Sequence, residues 1–183
     1  MSQQYFSFFN SLNSESSLGF RLVDIFSSHF SFHQANCKDK CSKSTHLHNL
    51  NDIVLNVSLY LNLVVVISDA SIRNNVAISI TYIYLHSNPV KKTLYHAIGM
   101  ISSEPELFAI RCSINQAVKI PEVSHIIFIT DLIHMANQMF DSTTYSYQQQ
   151  LIAILKDLQL FFNKYSSNLV EFWDCSSNIN WPL

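Results

Sequence analysis

The second half of the chain consists of short apolar runs separated by polar breaks, and this pattern predicts β-strands. The continuous β-branched run Leu63–Ile67 is typical of a strand buried on both faces, and it stops at the segment 68–71. Val76–Leu85 predicts a second strand and Thr93–Ile101 a third, with a turn over residues 86–89 between them. We therefore expect a meander of three antiparallel strands.

Beyond residue 102 the apolar positions change to helical spacing. Ser103 and Glu106 form a capping box with Pro105 in the first turn, so a helix is predicted to begin there. The later elements are predicted to be a strand, two helices and a last strand, over His125–Thr130, 132–140, 147–165 and Leu169–Trp173. This order predicts an α/β fold with a mixed sheet, in which parallel strands follow the three antiparallel ones and helices flank the sheet.

The first part of the chain lacks such a pattern. Residues 1–52 mix Ser, Asn, Phe and His without a sustained period, so we predict an irregular arm there. The following segment, 53–183, is predicted to be one domain. The total of 183 residues and 21.0 kDa fits one domain with a flanking arm.

The amino-acid composition excludes several classes of function. Only 13% of the residues are charged and the net charge is -2, so the chain has no bulk basic surface for nucleic acid. Its two glycines are too few for a G-x-G-x-x-G turn or a Walker loop. No apolar run reaches the ~20 residues of a spanning helix, and the first residues do not resemble a signal peptide. We therefore expect no membrane association, an intracellular location in cytoplasm or nucleus, and reduced cysteines.

Three acidic residues occupy positions that favour a metal site. Asp69 ends the first apolar strand, Glu106 lies in the first turn of the first helix, and Asp131 ends the fourth strand. Ligand sites in open α/β sheets gather where strand ends meet helix starts, and Mg²⁺ prefers carboxylate oxygens. From spacing alone, an equal alternative is that the two aspartates are turn residues and Glu106 only caps its helix.

Four stretches in the same order resemble a known family. Val64–Ser71, Ser102–Cys112, Ile126–Asp131 and Val170–Ser176 resemble the type 1 ribonuclease H domain. The resemblance is greatest to the version in the reverse-transcriptase polyproteins of fungal non-LTR retrotransposons. It covers roughly residues 63–183 and implies a ribonuclease H-like fold.

The resemblance also implies an activity, a cofactor and a partner. The family cleaves the RNA strand of an RNA–DNA hybrid with two Mg²⁺ ions held by four carboxylates. By motif, Asp69 would bridge both ions, and Glu106 and Asp131 would be further metal ligands. Two ions ~3.5–4 Å apart can activate water and stabilise the leaving oxygen without a side-chain nucleophile.

The chain also departs from the family pattern. The family's fourth acid lies on a helix after the Trp-containing strand, and this sequence ends at Leu183 before such a helix. Asp174, at the end of the last strand, is a poor substitute. Ala70 replaces a common glycine, and Leu132 replaces a small polar residue. We therefore expect a truncated or decayed copy with low or no activity; the alternative function is a catalytically dead relic or nucleic-acid-binding module of the same fold.

A cysteine and histidine cluster in the arm is a candidate zinc site. Cys37, Cys41, His46 and His48 have the right residue types. However, Cys₂His₂ sites usually place ~12–15 residues between the two pairs, and here only four residues separate them. We interpret them as loop thiols and surface histidines.

Basic and aromatic residues elsewhere have two interpretations each. Lys91 and Lys92 at the second hairpin would flank a hybrid backbone, or would simply be solvated in a turn. Trp173 and Trp181 are interpreted as packing residues rather than as a platform on which bases stack.

Overall fold

The computed structural model describes residues 26–34, 40–56, 60–74, 76–85, 88–98, 104–131, 133 and 148–175. The strands of this part are β1 (Phe30–His33), β2 (Leu63–Arg73), β3 (Val76–Leu85), β4 (Asn88–Ile98), β5 (His125–Thr130) and β6 (Leu169–Asp174). Its helices are α1 (Lys40–Asn56), α2 (Glu104–Ala117) and α3 (Gln148–Lys164), and a 3₁₀ turn, Ser27–His29, precedes β1.

The six strands form one mixed sheet in the order β1-β6-β5-β2-β3-β4. β2, β3 and β4 are antiparallel neighbours, whereas β5 runs parallel to β2, β6 parallel to β5, and β1 parallel to β6. The predicted α/β class, with an antiparallel meander followed by parallel strands, is confirmed.

Two apolar layers cover the two faces of the sheet. On the first face, α2 and α3 pack against alternate strand residues that include Val64, Val66 and Phe128. On the second face, Leu50 of α1 packs against the intervening residues, such as Val65. The alternation of a strand explains why one uninterrupted apolar run serves both layers.

The strand β2 is longer than its apolar run. We expected it to stop at the segment 68–71, but it continues to Arg73. Its pairing with β5 ends at Ile67, while its pairing with β3 continues to the hairpin. Polar residues are tolerated here because only one neighbouring strand remains. Asn74, with φ of 53°, fits the tight two-residue turn that follows.

The structure corrects the expectation of an irregular arm for the described part of residues 1–52. That part contains β1, which adds a parallel edge strand to β6, and most of α1. The pattern did not reveal them because α1 is largely polar and docks through few apolar residues. The boundary at residue 53 stays a prediction.

The other predicted elements agree in type, with differences at their ends. Strand β4 begins at Asn88 rather than Thr93, because Asn88 already pairs with Leu85 at the end of β3. The helix predicted over 132–140 lies outside the described residues except for Ile133, which is buried. Among the described helices, none is both long and apolar enough to cross a bilayer.

Candidate active site

Asp69 and Asp131 lie together at one end of the sheet. The parallel pairing of β2 with β5 ends where Ile67 meets Ile129, and each aspartate lies two residues beyond. Both aspartates are exposed. Alternation places Asp69 on the face of Ile67, the second face, and Asp131 directly follows β5 at the same level. Two neighbouring carboxylates at strand ends can hold a divalent cation.

Glu106 lies in the first turn of α2, and its side chain lies outside the described part of the structure. Helix α2 is positioned by Ser113, whose hydroxyl is 2.8 Å from that of Thr81 in β3. The loop after α2 reaches the start of β2, where the Ser124 amide donates to the Asn62 carbonyl at 3.0 Å. The start of α2 therefore lies toward the Asp69 end, on the first face of the sheet.

Asp174 occupies a different environment from the two exposed aspartates. It is the last residue of β6, pairs with Thr130, and is only 8% exposed. Alternation places it with Phe172 on the first face, opposite Asp69. Its position at the strand's end is as the sequence predicted, and its burial makes it a poor partner for a solvated cation.

The thiol of Cys175 lies near these acids, and their charge affects its pKa. The backbone amide of Cys175 donates to the Thr130 carbonyl at 2.8 Å, so the residue extends β6 beside β5. Burial, together with the negative charges of Asp174 and Asp131, raises the pKa of the Cys175 thiol to about 11. The thiol is therefore neutral at physiological pH, in a region of negative potential.

His46 is buried rather than on the surface, which corrects its interpretation as a surface histidine. Its Nε2 donates to the backbone carbonyl of Asp174, and this bond fixes the tautomer with the proton on Nε2. His48 on the same helix is exposed, and lies 3.3 Å from Asp52. No signal in the spacing could have found the role of His46, because it depends on how α1 docks.

The donor types suit magnesium better than zinc. Among the side chains that the structure describes, no three His, Cys, Asp or Glu residues are grouped for metal binding. Cys37 lies outside the described residues, as does the side chain of Cys41, and His46 is bonded to a carbonyl. The exposed oxygens of Asp69 and Asp131 are the hard ligands that Mg²⁺ prefers.

A second polar cluster on the second face was missed from the sequence. The Glu171 carboxylate lies 2.6 Å from His125 Nε2 and 2.9 Å from His33 Nε2, and it accepts a 3.0 Å hydrogen bond from Trp173 Nε1. The hydrogen bond from His125 lowers the pKa of Glu171 to about 2, against the opposing effect of burial. The one feature of the sequence that could have indicated this cluster is the position of Glu171 between apolar residues in β6.

A basic and aromatic surface lies next to Asp69 on the second face. Lys92 Nζ is 5.0 Å from the centre of the Tyr82 ring, and Tyr82 stacks with Tyr84 at 6.3 Å. Lys92 and the neighbouring Lys91 are exposed on the edge strand β4. Asp69 pairs with Ile80, two residues before Tyr82, so Asp69 and Lys92 share the second face, whereas Lys91 pairs with the buried Ile83 and lies on the first face.

No protein-family model matches the sequence, and no curated protein matches it. Among solved structures, the N-terminal RNase H domain of a Mycobacterium tuberculosis protein is similar, with TM-score 0.50 and 14% identity over 65% of this chain and 92% of that one. RNase H1 of Halobacterium salinarum has a TM-score of 0.49 and 12% identity, and the match covers 64% of this chain and 89% of that one. The RNase H domain of prototype foamy virus has a TM-score of 0.48 and 11% identity, and the match covers 64% of this chain and 80% of that one. From the first of these likenesses and the sheet order, the chain has a ribonuclease H-like fold.

Proposed function

We propose that this protein hydrolyses the RNA strand of RNA–DNA hybrids at a low rate, with catalysis at Asp69, Glu106 and Asp131. The observation that carries the proposal is the placement of Asp69 and Asp131, exposed at one level on adjacent parallel strands of a ribonuclease H-like sheet. A fold alone does not determine function, so the proposed activity depends on these acids and on the motifs around them.

Mg²⁺ is the cofactor that fits these residues. Asp69 and Asp131 would hold it through their carboxylate oxygens, with Glu106 as the third ligand. When bound, two such ions supply an activated water and stabilise the leaving oxygen of an in-line displacement. Because the chain supplies ligands and orientation in this reaction, no serine or cysteine nucleophile is required.

The surface beside Asp69 supports a duplex substrate. Lys92 carries the charge needed to contact a phosphate, and the Tyr82 ring holds its ammonium in place. This contact would position a hybrid backbone without reading its sequence. The overall charge of -2 makes such a local surface the expected place for nucleic acid to bind.

The test is a Mg²⁺ titration of the purified protein with a hybrid labelled on its RNA strand. We expect cleavage that requires Mg²⁺ and falls at least about a hundredfold in Asp69→Asn, since a metal ligand is lost. Glu122→Gln, an exposed acid in the loop before β5, is the matched control and should cleave normally. Cleavage without Mg²⁺, or equal cleavage by Asp69→Asn, would contradict the proposal.

A second candidate is hybrid binding without cleavage. The observation that favours it is that the described side chains form no group of three metal-binding residues, while α2 packs on the face opposite Asp69. This candidate predicts hybrid binding that is equal with and without Mg²⁺ and unchanged by Asp69→Asn. Binding and cleavage measured on the same samples separate the two functions.

The motif resemblance supports an origin in the reverse-transcriptase polyprotein of a fungal non-LTR retrotransposon. Such an origin implies an intracellular location, in the cytoplasm or nucleus. Localisation of the tagged full chain in cells would test this part of the proposal.

A further inference from the structure

A cavity of about 530 Å³ lies between α1 and the beginnings of β2 and β5. Leu63 and His125 line it, and each lies six residues before one of the exposed aspartates. At ~3.3 Å per residue, the cavity is roughly 20 Å from the candidate active site along the strands. Its volume falls within the range of small-molecule sites.

The lining offers flat rings and neutral hydrogen-bonding groups. Trp173 and Tyr60 contribute aromatic rings, and the Asn49 and Asn56 amides can each donate and accept. Asp52 contributes a carboxylate, which only accepts when ionised. Among the described residues that line the cavity there is no Lys or Arg, so nothing there would neutralise a phosphate.

Two of the lining rings are held in place before any ligand arrives. Glu171 accepts hydrogen bonds from Trp173 Nε1 and from His125 Nε2, at 3.0 and 2.6 Å. His33 stacks on the Trp173 ring at 3.9 Å between centres. Rings fixed in this way lose little further freedom when a ligand binds, which favours binding.

We propose that this cavity binds an adenine base. An asparagine amide pairs with the adjacent donor and acceptor of adenine, and the Asp52 carboxylate can accept from an exocyclic amino group. The exposed Tyr60 ring provides a face on which the base can stack, and Trp173 lines the same cavity. The base belongs to a free nucleoside or to an unpaired strand end, and this site does not depend on the proposed hydrolysis.

The experiment uses Trp173 fluorescence in the full chain carrying Trp181→Phe, which leaves one tryptophan. We expect saturable quenching by adenosine, with roughly tenfold weaker affinity in Asn56→Ala. Asn49→Ala is the second variant, should Asn56→Ala fail to fold by circular dichroism. Asn163→Ala, exposed on α3, is the matched control and should bind normally.

Two further probes identify the source of the base. Quenching by adenosine supports a nucleoside site. If adenosine and a blunt duplex do not quench the fluorescence but an RNA with an unpaired 3′ adenosine does, the result supports a strand-end site. In either case the effect must weaken in the cavity variants. Equal quenching by ribose, quenching unchanged by those variants, or no quenching by either adenine probe would overturn the proposal.

Discussion

At the scale of single residues, Glu171 carries the greatest concentration of polar contacts on the second face of the sheet. Its carboxylate joins His33 of the edge strand β1 to His125 of β5, with Trp173 as a third partner. These bonds favour the ionised carboxylate more than burial opposes it, so the pKa of Glu171 is about 2 rather than 4.5. One side chain therefore connects three parallel strands across the face.

The lowered pKa of Glu171 predicts an acid-dependent loss of stability. Since the pKa is lower in the folded chain, the stabilisation is complete above pH 4.5 and is lost as the pH falls toward 2. For a partly solvated carboxylate we expect on the order of 1–2 kcal/mol. Urea unfolding at pH 7 and pH 3 measures this loss of stability. Glu171→Gln should be less stable than the unmodified chain at pH 7, and its free energy of unfolding should differ less between the two pH values. An unchanged pH difference in Glu171→Gln would refute the prediction, and Glu122→Gln is the control.

Cys175 gives a second prediction at this scale. Because burial and the nearby carboxylates hold its pKa at about 11, the thiolate is scarce at pH 8. Iodoacetamide labelling, followed by mass spectrometry of the peptide, should be slow at pH 8 and accelerate toward pH 11. Asp131→Asn removes one negative charge and should increase the rate at pH 8. Rapid labelling of the unmodified chain at pH 8 would show that the thiol is not buried as described.

At the scale of elements, α1 is the least expected part of the fold. Leu50 is fully buried against β2 and β5, Ile53 packs beside it, and His46 is bonded to the end of β6, so these side chains dock the helix. The rest of the helix is mostly polar, and Leu55 is 69% exposed. The stability of α1 therefore comes from these few tertiary contacts rather than from an extended apolar stripe.

Truncating the buried leucine should destabilise the protein far more than truncating the exposed one. Leu50→Ala is expected to cost about 2–4 kcal/mol, because it removes buried area and leaves a cavity between α1 and the sheet. Leu55→Ala makes the same chemical change on the same helix and should cost under about 0.5 kcal/mol. Denaturant unfolding of both variants measures the difference. Equal losses would mean that α1 is not docked through Leu50.

The elements that the sequence predicts correctly are those whose apolar pattern is continuous. The strand Val76–Leu85 agrees at both ends, because its turns are marked by polar residues. The exposed aspartates were identified because each follows an apolar run. The cluster around Glu171 and the burial of His46 were not found, since they depend on strand register and helix docking, which no local pattern encodes.

At the scale of the whole molecule, the second face of the sheet divides into two regions. Helix α1 covers the part over β2, β5 and β6 and encloses the cavity. On β4, the side chains of Lys92 and Leu94 are exposed on the same face as Asp69. The first face is covered by α2 and α3. A duplex that reaches Asp69 is therefore expected to approach over β3 and β4.

This approach predicts a salt-dependent contribution from the edge strand. Replacing Lys91 and Lys92 by Ala should weaken hybrid binding and make the plot of log affinity against log salt less steep by about 1, because Lys92 loses one phosphate contact whereas Lys91 lies on the other face. The melting temperature should hardly change, since both side chains are exposed. Lys164→Ala, at the end of α3 on the first face, is the control and should leave the slope unaltered. Fluorescence anisotropy with a labelled hybrid at several salt concentrations gives the slopes. If the control and the double variant behave alike, nucleic acid does not bind over β3 and β4, and the duplex must reach Asp69 from another side.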